Sequence, residues 1–517
     1  MRIGIDVGGT HTDAVLLDGD DVVSSVKSLT TADVSSGILE ALESILSDAG
    51  AQESSIEAVM LGTTQFTNAV IERKQLSEVA AIRIGLPSGD GLPPKIGWPQ
   101  GISECLGDHV YMIRGGTLYD GRPLVALDQG EVDRVIADIK RKGVKSVAIS
   151  AAFSPMTPEP ELVVAEQLRS AIPGINITCS HRIGRLGLLE RENAAILNAS
   201  LLQFADRVVD SFGTALKTRG LTCRFFVSQN DGTLMDAEFV RRFPALTFAS
   251  GPTNSLRGAC KLTGLDNAIV VDIGGTTSDI GILQDGFPRE SNIVIEVGGV
   301  RTNFRMPDIL ALGLGGGSLV SDEGRVIGPE SVGHKLVTEG LAFGGTTLTA
   351  TDILVAAGRA NIGAGQHRVD LPPETISNGL QTIQSILNLG IEKMMPSSDP
   401  LPVVLVGGGA ILVSEKLASA SAMHCPPHSG VANAIGAAIA QIGGEVERLV
   451  SYQQLPREDT IRQMSEEARR AAIAAGADEA TVRIADIEET TISYMSEGST
   501  RVRIKAVGDI LRRERGG

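Results

Sequence analysis

Two short segments carry the same chemistry-bearing pattern, DVGGTHTD at residues 6–13 and DIGGTTSD at 272–279. In each, an aspartate ends a β-branched run, glycines follow, and hydroxyl side chains lead to a second aspartate. Glycines without side chains let backbone N–H groups approach phosphate oxygens closely. A carboxylate at a strand end can hold a hydrated magnesium ion. Asp6 and Asp272 are therefore the candidate metal-holding and catalytic carboxylates. Gly8, Gly9, Thr10, His11, Thr12 and Asp13 in the first copy, and Gly274, Gly275, Thr276, Thr277 and Asp279 in the second, are the candidate groups around a triphosphate. A third glycine turn, VVLVGGGAIL at 403–412, adds Gly407, Gly408 and Gly409. Taken singly, either aspartate segment also reads as a tight hairpin with a polar tip. Two copies and a later glycine turn favour a shared site.

The elements that must hold these residues follow from periodicity. Ile3, Ile5 and Val7 lead into the first glycine turn and Ala14 to Leu17 lead out, which predicts a strand, turn, strand unit. At 35–49 the spacing of Ile38, Leu42, Ile45 and Leu46 predicts an amphipathic helix. Helical stretches near 130–142, 159–171 and 190–217 alternate with β-branched runs at 144–149 and 175–178, an α/β pattern. The repeated aspartate segment signals two related lobes facing one another, because its period is too long for a solenoid. Beyond about residue 455 a charged helical run and short β-like pieces predict a small αβ appendage. The expected divisions are residues 1–185, 186–455 and 456–517.

Composition narrows the function class. A chain of 517 residues exceeds one core and implies two large lobes. A formal charge of −16 with no basic stripe argues against a nucleic-acid binder. The five cysteines show no paired CxxC spacing, which fits a reducing cytoplasm, and no apolar run is long enough to span a bilayer. His424 and His428 flank Cys425 in a loop without a credible zinc set, and His334 stands alone.

Neither a G-x-x-x-x-G-K-[ST] loop nor a strand-following G-x-G-x-x-G is present. Paired Asp-Gly-Gly-Thr hairpins followed by a glycine turn resemble the actin, heat-shock chaperone and sugar-kinase superfamily. That resemblance implies an α/β fold of two actin-like (ribonuclease-H-like) ATPase lobes around a nucleotide cleft. It makes 6–13 and 272–279 the two phosphate loops and 407–410 the adenosine loop. The superfamily also places a catalytic polar residue near the start of a connecting helix. Here LERENAAILNAS at 189–200 takes that place, with Glu190 and Glu192 as candidates. The alternative for both is an acidic helix N-terminus favoured by the helix dipole.

The stretches LGTTQFTNAVIERK (61–74), SQNDGTLM (228–235), FASGPTNSLRGA (248–259), LGLGGGSLV (312–320), IGPESVG (327–333) and TLTATDILVAAG (347–358) narrow the resemblance to the A subunit of the hydantoinase/oxoprolinase family, from residue 1 to about 445. This implies an ATP- and magnesium-dependent hydrolase subunit that phosphorylates the carbonyl oxygen of a cyclic amide such as a hydantoin, oxoproline or lactam, with a second subunit completing ring opening. Thr63, Thr64 and Asn68 would then offer polar groups to substrate, and Gly315, Gly316 and Gly317 a further backbone anion cradle. The segment 331–345 lacks the proline- and cysteine-containing pattern of longer relatives, so the substrate and the partner stay open. A small-molecule kinase, a nucleotide-gated assembly subunit and a carboxylase-associated subunit are the competing readings. The tail's edge strands are an expected docking element, and a homo-oligomer is left open.

Overall fold

The computed structural model describes the chain except residues 9–10, 30–33, 119–120, 292–293, 363–368, 398, 414, 454, 493–498 and 512–517. Three larger sheets organise it. The first has nine strands in the order Arg483–Thr491, Ser499–Gly508, Gln441–Ser451, Thr233–Asp236, Arg224–Ser228, Ala58–Thr63, Arg2–Val7, His11–Asp18 and Asp21–Leu29. Ala58–Thr63 runs parallel to both neighbours and is buried along its whole length, which is why it reads AVMLGT instead of alternating with polar residues. Its Val59 and Leu61 pack under the helices Val34–Ala49 and Leu188–Thr218, while Ala58 and Met60 face Ala437 and the tail helix Arg457–Ala474. The expected helix at 35–49 is present, and Ile38, Leu42, Ile45 and Leu46 are all buried beneath it.

The second sheet joins Phe287–Pro288, Ser278–Gln284, Ala268–Ile273, Val403–Val406 and Met423–His424, with Ile309–Leu312 beside Ser278–Gln284. The helix Pro373–Met394 covers it through Ile383, Leu387 and Ile391. A third, parallel sheet of Val110–Arg114, Val79–Leu86, Ser146–Ala151 and Asn176–Cys179 lies under the helices Gln129–Lys142 and Glu159–Ala171.

The sheets divide the chain differently from boundaries at 185 and 455. Arg224–Ser228 and Thr233–Asp236 pair into the first sheet, and the strands of the tail extend that same sheet through Gln441–Ser451. The tail is therefore continuous with the first lobe instead of standing as a separate appendage. Among the described residues, no helix is long and apolar enough to cross a membrane.

Two helices cross between the first and second sheets, Ser250–Thr263 and Ala432–Ile439. Glycine sets how near they come. A Cβ on Gly258 would lie 1.9 Å from the Ala432 carbonyl oxygen, and one on Gly436 would lie 1.8 Å from that of Asn254. Gly4 does the same between Ala432–Ile439 and the first strand, where a Cβ would lie 2.1 Å from the Ala434 oxygen. Helical glycine costs about 1 kcal/mol against alanine, so these contacts keep the helices at backbone distance against a local penalty.

Candidate functional site

The two aspartate segments fold into hairpins of matching register. Asp6 faces Asp13 across Arg2–Val7 and His11–Asp18, and Asp272 faces Asp279 across Ala268–Ile273 and Ser278–Gln284. Each turn closes the same way: Gly8 N–H donates to His11 O at 3.0 Å, and Gly274 N–H donates to Thr277 O at 2.9 Å. In the second turn this leaves the Gly275 and Thr276 amides with no acceptor among the described residues. Gly9 and Thr10 lie outside the described residues.

The crossing helices hold the carboxylates. Asn433 Nδ2 donates to Asp6 Oδ2 at 3.0 Å and to Asp13 Oδ2 at 2.9 Å. Asn254 Nδ2 reaches Asp6 Oδ1 at 3.4 Å, and the neighbouring Ser255 hydroxyl donates to Asp272. Lys27, from the strand Asp21–Leu29, places its Nζ 2.6 Å from Asp13 Oδ1. None of Lys27, Asn254, Ser255 or Asn433 was singled out by the sequence pattern. The two asparagines and the serine had one signal, their place in small-residue helical runs with a glycine one turn on.

Asp6, Asp13, Asp272, Asp279, Lys27, Ser255 and Asn433 line a cleft of about 460 Å³ together with Gly8, His11, Gly274, Gly275, Thr277, and Gly407 to Gly409. Leu336, Phe343, Ile362, Ile411 and Leu412 contribute apolar wall to it. Electrostatically the cleft is strained in favour of a cation. Burial, then the charge of Asp13, pushes Asp6 up to about 7 against the hydrogen bonds from Asn254 and Asn433. Burial and the charge of Asp272 push Asp279 up to about 7 as well. Asp272 is raised chiefly by burial, opposed by the Ser255 hydrogen bond. His11 is lowered by burial first and by Lys27 next. Carboxylates directly opposite in a strand pair repel one another, and Lys27 is the one lysine or arginine among the described residues lining the cleft. A set of hard oxygen donors with excess negative charge fits a divalent cation of the magnesium kind.

Several expected site residues stand elsewhere. Glu192 is buried in a different contact: Arg83 Nε donates to its Oε2 at 2.8 Å, Arg83 Nη2 sits 2.5 Å from its Oε1, and Ser150 Oγ donates at 2.6 Å. Glu190 lies 3.8 Å from Arg301. Neither glutamate lines the cleft. The helix they begin packs against the first and third sheets, whereas the helices that cross between the first and second sheets are Ser250–Thr263 and Ala432–Ile439. The Gly315 to Gly317 run is also no anion cradle. Gly315 N–H donates to Ser318 Oγ at 2.8 Å, Gly316 N–H to Gly274 O at 3.0 Å and Gly317 N–H to Gly275 O at 2.7 Å, so all three amides are occupied, two of them in bracing the second hairpin. Only Gly316 of the three touches the cleft. Thr64 lines it and donates to Val7 O at 3.2 Å; Asn68 supports Thr64 from 3.4 Å, and the buried Thr63 accepts from Gln65 N–H at 3.2 Å. Thr12 and Thr276 are not among the lining residues.

The sequence matches the hydantoinase/oxoprolinase N-terminal region over residues 2–172 and the hydantoinase/oxoprolinase domain over residues 191–396. It is similar to the caprolactamase subunit alpha of Pseudomonas jessenii, 28% identical over 395 residues covering 70% of this chain and 55% of that protein. It is also similar to the acetophenone carboxylase gamma subunit of Aromatoleum aromaticum, 26% identical over 398 residues covering 69% and 53%. The chain thus spans about half the length of these two relatives. The crystal structure of the ATP-dependent caprolactamase from Pseudomonas jessenii aligns with a TM-score of 0.81 at 19% identity, covering 99% of this chain and 88% of that one, which establishes the shared fold. Two facing aspartate hairpins on a matching fold, with family sequence running through both, place this chain in the hydantoinase/oxoprolinase family.

Proposed function

We propose that this chain is the nucleotide-binding subunit of an ATP-dependent enzyme that activates a cyclic amide for ring opening, acting with a second subunit. The observation that carries the reading is the cluster of Asp6, Asp13, Asp272 and Asp279 at two facing glycine turns. Asp6 and Asp272 would hold magnesium. The free amides of Gly275 and Thr276 suit phosphate oxygens, and the apolar wall of Leu336, Phe343, Ile362 and Ile411 suits the adenine ring. Lys27 holds Asp13 in place through an ion pair. ATP with magnesium supplies the transferable phosphoryl group, whose attachment to the amide carbonyl oxygen turns a resonance-stabilised amide into a good electrophile. The chain's own contribution is positioning and charge compensation, which dominate phosphoryl transfer.

The likeness to a carboxylase subunit supports a second reading, in which the acceptor is the carbonyl of a ketone. One assay separates the two. Phosphate release is measured with ATP and magnesium across hydantoins, lactams and 5-oxoproline, then with ketones plus bicarbonate, for the wild type and Asp272→Asn. Release stimulated by a cyclic amide and reduced at least about 100-fold in the variant supports the first reading. Stimulation by ketone and bicarbonate alone moves the assignment to the second, and a stable phosphorylated product identifies a kinase. Release unchanged by Asp272→Asn removes the cleft from the chemistry.

A further inference from the structure

A second cavity of about 430 Å³ lies where the loop 181–185 meets the strand Gln441–Ser451 and the tail helix Arg457–Ala474. Charged groups around it are largely paired: Lys505 Nζ lies 2.7 Å from Asp231, Arg305 Nη1 2.6 Å from Glu445, and Arg185 Nη2 2.8 Å from Glu290. Surrounding an open space with this many half-buried charges suits a polar occupant. Besides the buried, unpartnered Arg185 Nε and Asn303 Oδ1, two lining residues on one loop keep hydrogen-bonding capacity. Arg182 is exposed and forms no ion pair or hydrogen bond among the described residues. His181 has its Nδ1 2.7 Å from Glu161 Oε2.

Glu161 is wholly buried and accepts from Ala151 N–H at 3.0 Å, Ser180 Oγ at 2.6 Å and His181 N–H at 3.2 Å, besides the ring. Its acceptor sites are filled, and burial with the charge of Glu161 pushes the adjacent Cys179 thiol up to about 12. The Glu161, Cys179, His181 cluster is therefore poorly suited to a metal ion, which needs a thiolate and open carboxylate lone pairs. What the buried carboxylate does is fix the imidazole, with Nε2 as the ring's remaining hydrogen-bonding atom.

We propose that this cavity is a binding site for a small organic carboxylate, with Arg182 pairing the carboxylate and His181, in its imidazolium form with Nδ1–H on Glu161, donating Nε2–H to it. Ring opening of a cyclic amide releases a molecule of this class; that connection rests on the function proposed above, whereas binding at the cavity does not. The test is calorimetric titration of the full chain with 6-aminohexanoate and with glutamate, using 6-aminohexan-1-ol as the same chain without a carboxylate. A carboxylate should bind at millimolar concentration and the alcohol at least about tenfold more weakly. Arg182→Gln should weaken carboxylate binding at least about tenfold, the range of one charge-assisted contact. Arg182 is exposed, so this variant should keep the wild-type thermal midpoint. His181→Asn is the second variant, and Asp272→Asn should bind as the wild type does. Binding of neither carboxylate, equal binding of the alcohol, or affinity unchanged in Arg182→Gln overturns the proposal. Loss of binding in Asp272→Asn would place the carboxylate in the nucleotide cleft and overturn it too. Failure of the phosphate-release assay alone would leave this site standing.

Discussion

Glu192 sits at the start of a helix where a catalytic acid was expected, and replacing it should damage stability instead of chemistry. Arg83 is 1% exposed and the Glu192 side chain 3%. The guanidinium meets the carboxylate through two nitrogens, and Ser150 fills a further acceptor site. Glu192→Ala removes one partner and leaves a buried, uncompensated guanidinium. Breaking a buried pair in this way costs about 3–5 kcal/mol, which for a lobe of this size lowers the thermal midpoint by on the order of 10 °C. The chain supplies its own probe. Trp98 is the only tryptophan, and its Nε1 donates to Asn193, the residue after Glu192, at 2.9 Å. Its fluorescence therefore reports on the packing of this helix against the segment that carries Arg83. Glu192→Ala should melt early by tryptophan fluorescence while keeping substrate-stimulated phosphate release within about twofold below its transition. The double variant Arg83→Met, Glu192→Leu should recover most of the loss, because replacing both charges by apolar groups is close to neutral. A Glu192→Ala chain with an unchanged midpoint and phosphate release cut 100-fold would refute this reasoning and return the residue to the active site.

Three further outcomes are expected. Asp272→Asn removes one of four clustered carboxylates, so the metal-free variant should melt no lower than the wild type while losing the midpoint rise that magnesium gives the wild type; both are read by thermal scans with and without the ion. In metal-free protein, Asp6 and Asp279 are pushed up to about 7, whereas an unfolded aspartate titrates near about 4. Across that window the native state binds more protons than the unfolded chain, so native stability should fall as pH rises from about 4 to 7, and magnesium should flatten the slope; urea midpoints across the range check the sign. Gly436→Ala puts a Cβ 1.8 Å from the Asn254 oxygen, forcing the crossing helices apart. It should lower the urea midpoint and weaken magnesium binding together, whereas alanine at the exposed Gly91, where a Cβ meets nothing, should change neither.

What the sequence made legible was local. The hairpin turns depend on glycines and strand residues within eight positions of each other, and both formed with the expected aspartates opposed. The helices at 34–49, 129–142 and 159–171 follow their own apolar periodicity. What remained hidden was long-range pairing. Nothing in RFFVS shows that Arg224–Ser228 joins the strand Ala58–Thr63, and nothing in the tail shows that Ser499–Gly508 pairs with Gln441–Ser451. Glu192 was misplaced for the same reason, since its partner Arg83 lies 109 residues away. Gly315 to Gly317 misled differently. A triple glycine has the composition of a phosphate loop, but whether its amides are free depends on what stands opposite, and here the Gly274 and Gly275 carbonyls do.

The crossing helices explain how two separately built hairpins keep one geometry. Asn254 and Ser255 are consecutive, yet the first bonds Asp6 of the first hairpin and the second bonds Asp272 of the other. Asn433, from the partner helix, ties Asp6 to Asp13. The spacing between the carboxylates of the two lobes is thus set by one turn of one helix, not by the loops. That helix is clamped to its neighbour at two glycines, where separation by even a methyl group is excluded. A rotation of one lobe against the other must therefore carry this helix with it or break one of the two hydrogen bonds. Since a hydrogen bond to a charged group contributes about 1.5–3 kcal/mol, the spacing between Asp6 and Asp272 is the part of the cleft that resists opening. The apolar residues Leu336, Phe343 and Ile362 of the lining sit on the second lobe, and among the described residues no hydrogen bond ties them to the first. Under the proposed nucleotide-binding role, opening would widen the cleft at these apolar residues before it separated Asp6 from Asp272.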